Sequence, residues 1–244
     1  FTGLISGSYP AFYLSGFNPV KVLKGTFRVG RLASVPRKVL VVVQFTVSIA
    51  LIIGTVVVLR QIQFAKNRPV GYTRAGLISI EMNTPEIYGH YEVMRNDLLQ
   101  TGAVEDMAES NSTTTQIWSR NGGFSWEGKA PGYDPTFGTI GVTYDYGHTV
   151  GWKILQGRDF SRNFPTDTGS IILNESALKM SGIKNPVGKI MHWNGGNHVI
   201  VGISKDMVME SPYEKTVGTV FFMTPGWVNW MTVRINQLCL YVML

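Results

Sequence analysis

A chain of 244 residues with 44% hydrophobic content is long enough for one sizeable domain, or for one domain plus a membrane element. Its net charge of +6 is unevenly placed: residues 1–80 carry ten Lys and Arg and no acid, while residues 81–244 carry the other 12 against all 16 Asp and Glu. The basic charges bracket an apolar run, which favours an anionic membrane surface over nucleic acid, and the single cysteine, Cys239, excludes an internal disulfide framework and a cysteine metal cluster.

The first residues, FTGLISG, read as the last turns of an apolar helix. With Phe1 as the first residue and no small-residue cleavage site, the chain reads as a segment of a longer protein. Pro10 and Pro19 break the stretch that follows. Asn18 can cap a short helix with Pro19 at its first position. Val20, Leu23 and Phe27 then fall at helical spacing among Lys21, Lys24 and Arg28. This basic amphipathic element fits a cytoplasmic connector between two spans. In the sharper alternative, Pro19, Val20 and Leu23 contact a cytoplasmic partner.

Residues 39–59, VLVVVQFTVSIALIIGTVVVL, contain no charge. As a helix they extend about 31 Å, which matches a hydrocarbon core of about 30 Å. Many are β-branched, but a buried strand rarely exceeds about eight residues, and in lipid the helix satisfies its own backbone. Six Lys and Arg precede the run and three follow closely (Arg60, Lys66 and Arg68), which places the N-terminal side in the cytoplasm. Gln44, Ser48, Ala50 and Gly54 form a candidate face for packing on other transmembrane helices. The alternative is that the Ser and Thr hydroxyls of the span bond their own backbone. The helix is expected to continue as a stalk to Asn67, ended by Pro69 and Gly71.

From Leu77 the pattern mixes strands and helices. Strands are expected at 77–82, 104–110, 139–144, 170–174, 198–203, 216–223 and 231–236. A helix is expected over 85–101, with Thr84 as cap, Pro85 at its first position, Gly102 as stop, and Ile87, Tyr91, Met94 and Leu98 on one face. A short helix follows Asn174, its cap, and stops at Gly182. Residues 111–137 read as loops and short strands. The fold class is an α+β extracytoplasmic domain on a single transmembrane α-helix, with a partial preceding helix. The organisation is 1–16 end of a preceding span, 17–36 connector, 37–68 transmembrane helix and stalk, 69–236 folded domain, and 237–244 a truncated or aberrant tail.

Catalytic signals are weak. The loop Gly182–Ile190 has five residues between its glycines rather than four, and Ile190 stands where a P-loop needs a hydroxyl for magnesium. His192 and His198 flank a turn and could hold zinc only with a third ligand, which no recognisable spacing supplies. Asp159, Glu175, Asp206 and Glu210 sit near strand ends without a catalytic spacing. No catalytic residue, cofactor or metal is expected.

Four blocks in order carry a family resemblance: SGSYPAFYLSGFNPVKVLKG (6–25), GWKILQGRDFS (151–161), SIILNESALKMSGIKNPVGKIM (170–191) and HVIVGISKDMVMESPYEK (198–215). They resemble FtsX-like, MacB-type permease subunits of ABC transporters. Residues 36–72 resemble the start of the second half of the duplicated permeases typical of Bacteroidetes. The resemblance implies a MacB-like periplasmic core domain and a non-catalytic membrane subunit of the inner membrane. Its partners would be a separate cytoplasmic ABC ATPase, other transmembrane helices and the lipid bilayer. The implied work is export or extraction of a peptide, drug or lipoprotein. A membrane-anchored sensor is the competing reading, and a membrane-anchored enzyme the third.

Overall fold

The computed structural model describes residues 35–84, 86–224 and 228–236, together with residues 3, 7, 8, 11, 12, 15 and 16. Pro19, Val20 and Leu23, the anticipated helix start at Pro85, and the tail 237–244 lie outside the described residues. The chain divides into two compact units, Phe1–Phe64 and Ala65–Leu244.

Helix α1 spans Val35–Asn67, 33 residues, or about 50 Å of helix. It is long and apolar enough to cross a membrane, and none of its residues is buried. The Thr46 and Thr55 hydroxyls donate to the carbonyls of Val42 and Leu51, each at 2.8 Å. A hydroxyl satisfied by its own helix in this way costs little in hydrocarbon.

The second unit is built on one sheet in the order β1 (Leu77–Glu81), β11 (Trp230–Ile235), β2 (Val104–Ser110), β5 (Phe137–Val142), β10 (Thr219–Met223), β7 (Ser170–Asn174), β9 (Gly196–Ser204), β8 (Ile190–Trp193), β4 (Ser125–Trp126). Off this path, β3 (Arg120–Asn121) pairs with β5, and β6 (Ile154–Gly157) with β9. The β10–β5 and β7–β9 pairs are parallel and the others antiparallel, a mixed sheet that agrees with the α+β expectation.

Strands β5, β10 and β7 are buried throughout, because both faces of the sheet are covered. Their alternation feeds two cores. Phe221 and Met223 join Ile140, Val142 and Ile172 with Tyr146, Val150 and Trp152 on one side. Val220 and Phe222 join Ile171 and Leu173 with Phe124, Ala177 and Met191 on the other. A third cluster lies under helix α2 (Tyr91–Gln100), where Tyr91, Met94 and Leu98, with Ile87, meet Met107, Met231 and Val233.

Helix α2 lies within the expected span 85–101 but begins only at Tyr91, and Thr84 does not cap it. The cause is Gly89, whose φ of 81° cannot continue a right-handed helix. Four further elements escaped the sequence pattern: α3 (Tyr146–Val150), β6, a 3-10 turn at Pro165–Gly169, and β8. Helix α4 (Glu175–Ser181) follows the expectation closely. Asn174 Oδ1 accepts from the Ala177 amide at 2.8 Å, and Gly182 closes the helix at φ 66°.

Candidate coupling site where the chain enters the domain

Pro69 has no amide to donate and disfavours helix in the residue before it, so α1 stops at Asn67. Only Arg68 and Pro69 separate that end from Val70, which is buried. Three residue steps span at most about 10 Å. Little slack therefore exists between the end of the helix and the first fixed point of the domain.

That fixed point is made of backbone. The Val208 amide donates to the Val70 carbonyl at 2.8 Å, and the Thr73 amide to the Val150 carbonyl at 3.0 Å. Gly71 sits at φ 81°, and a Cβ there would overlap the Asp206 carbonyl, so only glycine fits. Arg234 then clasps the strap. Its Nε donates to the Thr149 carbonyl at 2.6 Å, one terminal nitrogen to Ala75 at 3.1 Å and the other to Thr73 at 3.2 Å. Burial holds the Arg234 guanidinium below its usual pKa range, while the Glu105 and Asp106 charges oppose that shift.

Beside the strap a charged network fastens α2 to its surroundings. Arg95 pairs with Asp106 at 2.6 Å and with Asp145 at 3.3 Å. Arg162 joins Asp145 at 2.7 Å and Glu92 at 2.8 Å. Tyr91 donates to the Met107 carbonyl at 2.7 Å. Burial works to raise the Asp106 pKa. Hydrogen bonds from His148, the Met107 amide and Arg95 outweigh it and hold the carboxyl below its ordinary range.

Residues 39–244 match the MacB-like periplasmic core domain. The chain belongs to that family. The MacB-like domain is carried by ABC transporter permeases, which are non-catalytic. Among solved structures, the periplasmic region of MacB from Actinobacillus actinomycetemcomitans is similar at 16% identity and a TM-score of 0.47, covering 71% of this chain and 82% of that one. The extracellular domain of the noncanonic ABC-type transporter YknZ from Gram-positive bacteria gives 16% identity and a TM-score of 0.43, with 66% and 83% covered. No curated protein sequence matches the chain.

In this MacB-like chain the residues singled out by sequence fall as follows. Gln44, Ser48, Ala50 and Gly54 all lie exposed on α1. At 100° per residue they cover an arc of about 160°, broader than one seam. The strand-end carboxylates are occupied with backbone and neighbours. Asp159 accepts from Trp152 Nε1 and the Phe160 amide, Asp206 from the Ser176 amide and hydroxyl, Glu175 from the Asp206 amide, and Glu210 from Arg120. In the β8–β9 hairpin His198 stands opposite Met191, and His192 opposite Asn197, so the two histidines are on opposite faces. In the glycine-bounded loop the Gly188 and Lys189 amides are spent on the Ile200 and Pro186 carbonyls and do not face a phosphate. Sequence reasoning missed Arg234, whose partners are 85 to 161 residues away in sequence. Neither spacing nor composition signals such a contact.

Proposed function

We propose that this chain is the permease part of an inner-membrane ABC transporter. In this reading α1 crosses the bilayer with its N-terminal side in the cytoplasm, packs on other transmembrane helices, and holds the MacB-like domain in the periplasm. A separate cytoplasmic ATPase hydrolyses ATP. The motion passes along α1 into the domain, and the work done is export or extraction of a peptide, drug or lipoprotein.

The observation that carries the reading is the unbroken run of α1 from Val35 to Asn67, with two residues between its end and the buried Val70. Residues 39–59 suffice for the hydrocarbon, so the last two turns of α1 extend beyond it as a stiff lever. Because the slack is about 10 Å at most, a larger displacement of the lever must load the strap held by Arg234. A Gly-Ser linker inserted after Arg60 in the full-length permease, assembled with its ATPase, is expected to abolish transport while ATP hydrolysis continues. Unchanged transport would contradict the proposal.

A further inference from the structure

Beside α2 lies a pocket of about 290 Å³, lined chiefly by Tyr88, Tyr91, Glu92, Glu109, Tyr144 and Arg162. Glu109 occupies its inner wall. Alternation along β2 places Glu109 on the same face as the buried Met107, one step further along the strand. Its backbone is fixed from both sides: the Glu109 amide donates to the Thr143 hydroxyl, and the Thr143 amide to the Glu109 carbonyl, each at 3.0 Å.

Glu109 is only 8% exposed, yet among the described residues its carboxylate has no hydrogen bond and no ion pair. The nearby cation does not serve it. Arg162 is already divided between Glu92 and Asp145. Burial, and then the charge of Glu92, push the Glu109 carboxyl up to about 7. The side chain is enclosed but its unpartnered carboxylate oxygens open to the pocket, and a partly desolvated carboxylate of this kind is favoured where something in the pocket supplies the counter-charge.

The chemistry of the walls selects that counter-charge. Two carboxylates repel anions. A divalent metal needs several hard oxygen donors in one place, and among the described residues no group of three His, Cys, Asp or Glu could provide them. Tyrosine ring faces attract organic cations, as the Arg162 guanidinium shows at 5.5 Å from the Tyr144 ring centre. The volume suits a head group rather than a drug-sized molecule.

We propose that this pocket receives a primary ammonium group, with the Glu109 carboxylate as its counter-ion and the Tyr88, Tyr91 and Tyr144 rings as its walls. The ammonium can belong to a free alkylamine or to a lysine side chain of a polypeptide. The titratable and charged groups around Glu109 are Tyr88, Tyr91, Glu92 and Arg95 from the α2 side, Tyr144 and Asp145 from the segment after β5, and Arg162. Tyr91 is held protonated by burial, and the two arginines stay charged. Glu109 is therefore the group that titrates near neutrality, and cation binding must draw its proton off.

The test is calorimetric titration of the full chain in detergent with n-butylammonium and with the amidated peptide acetyl-Gly-Lys-Gly. n-Butanol and the norleucine peptide serve as neutral controls. The proposal expects saturable binding of at least one amine. That binding should tighten about tenfold from pH 6 to pH 8 and release about half a proton at pH 7. Glu109→Gln should weaken it at least tenfold. Binding of butylammonium alone assigns the site to small amines, and binding of the peptide alone assigns it to a lysine side chain. Binding of both shows that the ammonium suffices. The proposal is overturned if neither amine saturates, if the neutral controls bind equally, if no proton is released, or if folded Glu109→Gln binds as the native chain does.

Discussion

The Ile235 amide donates to the Gly76 carbonyl at 2.7 Å, joining the last strand of the domain to the strap by which the chain enters it. The next amide, of Asn236, donates to the Ala103 carbonyl at 2.8 Å and ties the same strand end to the start of β2. A pull on the strap is therefore borne by β11, which lies between β1 and β2.

Arg234 is the strongest fastening, since one guanidinium serves three carbonyls from residues 73, 75 and 149. Arg234→Met should cost about 2–4 kcal/mol, because the buried Thr149 carbonyl loses its donor and the half-buried bonds to Thr73 and Ala75 go with it. Arg234→Lys should recover only part of that, since an ammonium lacks the planar fork. Urea unfolding of the full chain in detergent, followed by tryptophan fluorescence, measures both. Equal stability of the lysine variant and the native chain would show that the fork is dispensable.

Asn174 joins α4 to β10. Its Oδ1 accepts from the Ala177 and Thr219 amides and its Nδ2 donates to the Val217 carbonyl, all at 2.8 Å. Asn174→Ala should destabilise by about 2–3 kcal/mol, more than a surface cap alone. Asn174→Asp keeps the acceptor, loses the donor, and should fall between the two. The same unfolding measurement orders them.

The expected pH dependence centres on Glu109. Its carboxyl titrates near 7 in the fold against an ordinary value of 4.5. Below about pH 4.5 it is protonated in both the folded and unfolded chain, and no penalty arises. As pH rises towards 7 the unfolded chain gives up the proton while the fold retains it, so stability is lost. Above 7 the loss is complete, on the order of 3 kcal/mol. Glu109→Gln should therefore gain on the native chain between pH 5 and pH 8 when unfolding midpoints are compared. A gap that does not change with pH would refute the assignment.

Much of this architecture is legible in the sequence because its causes are local. Val39–Leu59 announces itself by length and lack of charge. Asn174 and Gly182 mark the ends of α4 because a cap and a left-handed stop need those residue types. The strands with alternating or continuous apolar runs were placed within a few residues. The short elements were not: five residues of α3 and four of β8 are too few to establish a period. In α2 the Thr84-Pro85 start signal was overridden by Gly89 at positive φ. The Arg234 clasp and the unpaired Glu109 are set by tertiary contacts, and inside the strand VEDMAES nothing marks Glu109 as different from its acidic neighbours.

Transport as proposed requires α1 to cross a bilayer with the MacB-like domain outside the cytoplasm. Single-cysteine variants in a Cys239→Ser background test this directly: Arg37→Cys before the span, and Glu127→Cys at a side chain 83% exposed in the domain. A membrane-impermeant maleimide is applied to cells stripped of their outer membrane. The expected result is that Glu127→Cys is labelled at once and Arg37→Cys only after the inner membrane is permeabilised, with the chain extracted by detergent alone. Labelling in the reverse order, or recovery of the chain in the aqueous fraction without detergent, would contradict it.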